Sequence, residues 1–419
     1  MDVPDAILLM GDKQWQEIKS KLTGKFNKMM KGLFRQKGAQ LDINILASDE
    51  AQEFITTHAG ILDAGFQKVE MSDKMRERLT RSNYIFSGIK TFHELNEAFP
   101  SMLDENGNKK TFERFLNDVQ KINDTYNANY LHAEYNFVQA SATMAAKWEQ
   151  FREDGDQYYL QYRTAKDGKV RPEHAALDGV TLPPSDSFWD TYYPPNGWNC
   201  RCNVIQVRKQ KYPITEHSEA MNRGEKAMNG QKYNIFRFNS GKQGKTMPDY
   251  NPYTIRRCND CDVAKGKMKL GFVPDYQLCQ GCIMIRKCSE DRNRDNSAKA
   301  TKKSPEVKKL QGTTISNPDF NHEVLVTGGS IREWTNQPHK DYAAKNSILK
   351  HIAKVFREAK YIGFIDNFKM KPGIKQSHLF ETNVLGELSW IIVREYEIGE
   401  FVLHSISDSD KIKTGIRKE

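Results

Sequence analysis

Four cysteines in two pairs carry the strongest chemical signal in the chain. Cys258 and Cys261 are separated by two residues, seventeen residues follow, and Cys279 and Cys282 repeat the spacing. A C-x2-C pair sets two thiolates on one tight turn, where they can form one edge of a zinc tetrahedron, and two such pairs close the coordination shell. A four-thiolate site has no open position, so the expected metal is structural zinc. Upstream, Cys200 and Cys202 flank a single residue, Arg201, behind a Pro194-Pro195 step and a Gly197-Trp198 turn. Cysteines this close cannot form an unstrained disulfide with each other, so these thiols serve another purpose.

A third set of reactive side chains lies near the C-terminus. In "LSWIIVREY" alternation puts Ile391 and Val393 on one face and Trp390, Ile392 and Arg394 on the other. In "FVLHSIS" it groups Leu403, Ser405 and Ser407, with His404 pointing away. Arg394 and the two serines, with His378 from the preceding strand and His339-Lys340 from the start of a helix, would supply a cation and proton carriers. Such groups suit general acid/base work beside a fixed cation.

The elements that must position these residues can be read from the pattern. Residues 49 to 153 are helical: Phe112, Phe115, Leu116, Val119, Ile122 and Tyr126 make one apolar stripe, and Leu131, Tyr135, Val138, Ala142, Ala145 and Trp148 make a second. Beyond Asp154-Gly155 the period changes to short strands, with "KDG" at Lys166 to Gly168 as a hairpin signal. Residues 211 to 250, rich in Gly, Asn, Lys and Gln, read as a basic extended connector. Residues 251 to 288 form the cysteine module, and 289 to 320, almost without apolar side chains, read as a flexible linker. A last module, 321 to 419, combines a helix with four β-like runs and Gly386 and Gly399 at turns. The expected fold is therefore multidomain α+β: a helical N-terminal segment (1 to 48), a helical domain with a small β-rich core (49 to 210), a zinc insert, and a helix packed on a four-stranded antiparallel sheet.

Charge and composition narrow the class. The chain of 419 residues carries a net charge of +9. The stretch from Asn196 to Glu290 holds 17 Lys/Arg against 8 Asp/Glu, a surplus equal to the whole excess. Such a local surplus points to a polyanionic contact, nucleic acid first. No run approaches the ~18 apolar residues of a membrane span, and the acidic start "MDVPDAILLM" does not read as a secretory signal. All seven cysteines fall between Cys200 and Cys288, which favours a local metal or thiol function over a disulfide framework.

Taken together, "YRTAKDGKVRPEHAALDGVTLPP" and "PPNGWNCRC" resemble the phage Mu F-like head morphogenesis family, over roughly Phe54 to Val207. The matching positions are Arg163-Thr164, Arg171, His174, Asp178-Gly179, Pro194-Pro195 and Cys200-Arg201-Cys202. The resemblance implies a minor head protein of a tailed phage or prophage, located in the virion head or the bacterial host cytoplasm, with portal and head proteins as partners. It also implies a possible second metal site at His174, Cys200 and Cys202. The C-terminal residues "REWTNQPHKDYAAKN", "KYIGFID", "SWIIVRE" and "LHSISDSDKI" resemble the phage-associated barnase, EndoU, colicin and RelE-like nucleases. That resemblance implies a metal-independent ribonuclease used as a toxin, with RNA as substrate, an immunity protein as possible partner, and His339, Lys340, His378, Arg394, Ser405 and Ser407 as catalytic residues. The alternative is a purely structural head protein whose last module only binds.

Overall fold

The computed structural model describes residues 12–248, 251–253, 280–366, 372–384 and 386–417. They fall into two compact units, divided between Ser289 and Glu290. The architecture is mixed α and β, as the sequence pattern implies.

The first unit is a helical bundle. Its helices are α1 (Asp12–Phe34), α2 (Asp49–Ala64), α3 (Asp73–Ala98), α4 (Phe112–Asn123) and α5 (Leu131–Asp154). Three of them begin where a hydroxyl caps an unpaired backbone N–H: Ser48 for α2, Ser72 for α3 and Thr111 for α4. Asp49 and Asp73 in the first turns complement the positive helix ends. Both stripes point inward: Phe115, Val119 and Ile122 of α4 and Leu131, Tyr135, Val138, Ala142, Ala145 and Trp148 of α5 are buried.

The centre of the bundle also holds charge. Lys90 on α3 is fully buried and donates to Glu134 (2.8 Å), lies 3.0 Å from His58 Nε2, and donates to the Tyr126 carbonyl (2.7 Å). That carbonyl sits in a π-helical turn, Asp124–Asn129, between α4 and α5. Tyr253 donates to the other Glu134 oxygen. One turn on from Lys90, Glu94 is fully buried; Asn127 lies beside it, yet neither carboxyl oxygen has a hydrogen-bond partner among the described residues.

After α5 comes a three-stranded antiparallel sheet in the order β2-β1-β3, with β1 at Tyr158–Arg163, β2 at Thr181–Leu182 and β3 at Asn203–Arg208. The "KDG" stretch does not close a tight hairpin. It opens the long loop from β1 to β2, where Asp167 accepts from the Lys169 amide and pairs with Arg201. The stretch expected to be an extended connector is folded as well: a helix at His217–Ala227 packs on the short helix Phe188–Tyr192, and a helical turn at Ser240–Gln243 packs on α5. Its glycines serve contact, since a Cβ on Gly241 would lie 2.2 Å from the Trp148 Cβ and one on Gly224 would lie 2.5 Å from the Tyr192 ring. The stretch expected to be a linker is helical over Gln280–Lys303 and Pro305–Lys309. Its Lys, Arg, Glu and Ala are good helix formers, and low apolar content does not prevent a helix.

The second unit has a six-stranded sheet in the order β4-β5-β9-β8-β7-β6. The four expected runs are β6 (Lys360–Asp366), β7 (Ile374–Val384), β8 (Glu387–Tyr396) and β9 (Phe401–Ser407), mutually antiparallel. Two further strands, β4 (Thr313–Asn317) and β5 (Phe320–Val326), extend it, and β5 meets β9 in parallel at Leu325 and Val402. The helices Gly328–Asn336 and Ile352–Glu358 contribute Trp334, Ile352 and Phe356 to one core with Phe380, Ile391, Val393, Leu403 and Ile406.

Burial pushes the Glu94 carboxyl up to about 8, with Lys90 opposing. Burial pulls His58 down to about 4, helped by Lys90 and opposed by Glu134. For Glu134, burial acts upward, but Lys90 and His58 outweigh it and hold the carboxyl at about 2. Between pH 6.5 and 8 the folded state keeps a proton on Glu94 that the unfolded chain has lost, so the contribution of this group to stability falls as pH rises, by at most ~1.4 kcal/mol per pH unit. Below pH 6.5 His58 acts in the opposite sense, because the unfolded chain gains its proton first. In urea unfolding of the full chain between pH 6.5 and 8, the stability of the wild type should therefore fall relative to that of Glu94→Gln as pH rises.

Candidate metal centre and the residues of the C-terminal sheet

His174 and the two cysteines come together because β1 is the middle strand. Arg163 at its end is paired with Asn203 at the start of β3, so the chain leaving β1 and the chain entering β3 meet at one end of the sheet. The loop after Arg163 is tied down by Asp178, which accepts from the Thr164 amide (2.9 Å) and hydroxyl (3.2 Å). Pro172 starts a short helical turn, Pro172–Ala175, that carries His174. Opposite it, the Arg171 guanidinium donates to the Trp198 carbonyl (2.6 Å) and clamps the turn before Cys200. Gly197 permits this approach, since a Cβ there would stand 3.0 Å from an Arg171 nitrogen. Asn199 adopts a left-handed conformation (φ 56°), and its side-chain oxygen accepts from Asn136 on α5.

The resulting cluster is compact. His174 Nδ1 lies 3.7 Å from Cys200 Sγ and 3.8 Å from Cys202 Sγ, and the three ligand atoms lie within 4.8 Å of one another. Tetrahedral zinc, with Zn–S of ~2.3 Å and Zn–N of ~2.0–2.1 Å, would hold nitrogen and sulfur about 3.6 Å apart. The donor set thus fits a zinc-sized ion through Nδ1. His174 Nε2 is buried with no partner among the described residues. A small cleft lined by Lys169, Arg171, Asn199 and Arg201 opens onto the cluster, and no fourth His, Cys, Asp or Glu joins it among the described residues.

The two thiols share charge unequally. The Cys202 thiol hydrogen-bonds Cys200, and with His174 this holds the Cys200 thiol well below its ordinary range against burial. The same hydrogen bond, with burial, holds the Cys202 proton on. Tyr162, at a buried position of β1, donates to Asn196 (2.7 Å). Burial and the neighbouring Cys202 raise its phenol well above the ordinary range. Its place beside the cysteines was not apparent from the sequence, although alternation along "YYLQYR" marks it as an inward residue.

The four-cysteine expectation falls outside the described residues for Cys258, Cys261 and Cys279. Cys282 is described: it is buried in the first turn of helix Gln280–Lys303.

In the second unit the six candidate catalytic residues do not form one site. Arg394, Ser405 and Ser407 share a sheet face with Trp390 and Ile392, as alternation implies. A bulge between Ile392 and Val393 shifts the register so that Val393 faces Leu403; Leu403 therefore joins the core rather than the serines. His378 pairs with Val393 across the sheet and lies on that core face, away from Arg394. It is buried, 3.0 Å from the Tyr361 hydroxyl through Nδ1 and 3.0 Å from Glu395 through Nε2. His339, also buried, contacts Ser389 (3.1 Å), while Lys340 pairs with Glu387. Ser389 and Glu395 stand six residues apart on β8, so the two histidines are about 20 Å from each other along the strand. The C-terminal residues approach the face that carries Arg394 at Trp390, whose ring lies under Lys413 (4.5 Å), and Arg417 pairs through the backbone with Phe364 at the edge of β6. Glu395 escaped notice in the sequence, although a carboxylate in register with Ile391 and Val393 marks a buried acid that needs a partner. Burial raises its pKa, but Lys375, His378 and Gln376 outweigh this and hold it below the ordinary range.

A helical bundle that braces a three-stranded sheet, with a His and a C-x-C knuckle at one sheet end, defines the class of the first unit. Comparison with known proteins supports the Mu F-like resemblance. Residues 105–205 match the sequence profile of "Phage Mu protein F like protein". The chain is 32% identical over 177 residues to the "Putative capsid assembly protein F" of Escherichia phage Mu, covering 41% of this chain and 38% of that protein. It is 34% identical over 102 residues to the "Mu-like prophage FluMu F protein" of Haemophilus influenzae, covering 24% and 22% respectively. The chain thus spans well under half the length of these curated relatives. Residues 293–403 match "Large polyvalent protein-associated domain 3", which does not bear out a nuclease in the second unit. No solved structure matches.

The Arg171 clamp has a measurable consequence. Arg171→Met removes a charge-assisted hydrogen bond to a backbone carbonyl, so chemical denaturation should show a loss of ~1.5–3 kcal/mol.

Proposed function

We propose that this chain is a minor head protein that takes part in phage head assembly, as the printed name of its phage Mu relative suggests for that protein. The observation that carries the reading is the shared stretch itself: the 105–205 match contains Arg171, His174, Asp178, Cys200 and Cys202, the residues that build the cluster. The cluster acts as a metal staple between the loop after β1 and the knuckle before β3. A bound ion would supply three coordinate bonds in place of the cross-links that this small sheet lacks. Arg171 and Asp178 hold the two loops in position whether or not the ion is present. Structural zinc at Cys258, Cys261, Cys279 and Cys282 belongs to the same proposal.

The second unit, in this reading, is a binding module rather than a ribonuclease. What supports this is the dispersal of the six candidate residues over two faces and two ends of the sheet, with both histidines buried. The ribonuclease reading draws support from the His378–Glu395 pair, an imidazole oriented by a carboxylate.

Three measurements test the proposal. Zinc analysis of the full chain should give two equivalents, falling to one in Cys200→Ala/Cys202→Ala; an unchanged content removes the metal staple. Produced with the portal and major capsid proteins of its own phage, the chain should co-sediment with heads. Heads that form normally while the chain stays outside them overturn the assembly role. Incubation of the full chain with RNA, with and without chelator, should leave it intact; fragments ending in 2',3'-cyclic phosphate would restore the enzyme.

A further inference from the structure

The second unit is electrically lopsided. Its helical layer is built from the end of helix Gln280–Lys303, the short helix Pro305–Lys309, and the run from Ile348 through Glu358. Val307, Leu349, Ile352 and Phe356 anchor these elements in the core. Helix Pro305–Lys309 packs against the turn Ile348–His351. The outward positions include Lys303, Lys308, Lys309, Lys350, Lys354 and Arg357, all exposed, against two exposed acids, Glu306 and Glu358. Glu306, which senses both Lys309 and Lys350, shows that the two cationic rows adjoin. Its carboxylate is engaged by the Ser304 hydroxyl. None of the six cations makes an ion pair within 4.0 Å among the described residues, in contrast to Lys340, Lys375 and Arg417 of the same unit.

We infer that this surface is a docking site for the phosphate backbone of a nucleic acid. Six cations that make no ion pair within 4.0 Å among the described residues repel one another and gain stability from a dense line of negative charge. Lys350, Lys354 and Arg357 follow one another at helical spacing over ~10 Å, and a nucleic-acid strand advances ~3.4 Å per phosphate, so the row spans about three phosphates. The exposed positions carry no Phe, Tyr or Trp, and His351 is the one ring among them, which makes the contact chiefly one to the backbone and largely indifferent to sequence. A lipid surface fits less well, because no apolar side chain stands among the cations to enter the bilayer. This surface is distinct from the basic stretch between Asn196 and Glu290. It deepens the binding-module reading of the second unit and rests on it.

The test uses the full chain and short duplexes of DNA and of RNA, with fluorescence anisotropy read from about 50 to 200 mM salt. The variant Lys308→Glu/Lys350→Glu/Lys354→Glu/Arg357→Glu should weaken binding at least ~10-fold. It should also flatten the dependence of log K on log salt by about 3.6 for duplex DNA, as the loss of four phosphate contacts requires. Lys74→Glu/Lys121→Glu/Lys226→Glu, which changes exposed helical lysines elsewhere, should leave the affinity within about two-fold. Equal loss in both variants, or unchanged binding in the first, overturns the inference, as does binding to vesicles of anionic lipid with none to either duplex. Preference for one duplex identifies the source of the phosphates and leaves the surface standing. Cleavage of bound RNA would overturn the binding-module reading while the charge-reversal result still decides the surface.

Discussion

Antiparallel pairing of β1 with both of its neighbours is the constraint on which the candidate metal centre depends. The register Arg163↔Asn203 forces the chain leaving β1 and the chain entering β3 to the same end of the sheet. His174 and the cysteines, 26 and 28 residues apart in sequence, then need only short corrections, which Asp178 and Arg171 provide. A one-residue slip would turn Tyr162 outward and carry Asn203, and with it the knuckle, away from the loop. The precision of the cluster is thus a property of the sheet, and the bundle behind it keeps the sheet in place through Asn136 and Lys147.

The bundle achieves its own specificity at some cost in stability. Fully buried Lys90 is tolerated because Glu134, His58 and a carbonyl released by the π-helical turn surround it. Such networks stabilise little relative to an apolar core, but removal of one member leaves a charge without a partner. They also fix which helix faces meet: α2, α3 and α5 must bring His58, Lys90 and Glu134 to one point. Glu94, whose oxygens have only Asn127 beside them among the described residues, is the member of the group whose burial is least compensated.

In the second unit a single bulge decides which face each residue of β9 occupies. Before it, Leu403 joins the core; after it, Ser405 and Ser407 turn to the face that carries Arg394. Simple alternation carried across His404 assigns the serines correctly and Leu403 wrongly. The same sheet separates His378 from Arg394, because Arg394 is paired with Ser377, and the next residue along the strand, His378, points to the opposite face. Residues that resemble a catalytic set in sequence are therefore divided between a buried polar pair and a surface that the C-terminal segment approaches.

What the sequence determined by itself was whatever depends on local period and composition. The stripes of α4 and α5, the strand character of the last four runs and the proximity of the C-x-C knuckle to His174 were all legible, the last through a family resemblance rather than through geometry. Where low apolar content and many glycines suggested loose chain, tertiary structure decided otherwise: Gly224 and Gly241 let backbone meet Tyr192 and Trp148, and the lysine-rich stretch after Ser289 continues a helix. Strands β4 and β5 escaped because a short edge pair shows little alternation of its own and gains its stability from pairing with β9. The network around Lys90 also escaped, since a lysine within an amphipathic helix looks solvated until three other helical segments close over it. Burial and strand register are collective quantities, set by residues far apart in the chain, and a reading of neighbours along one sequence does not contain them.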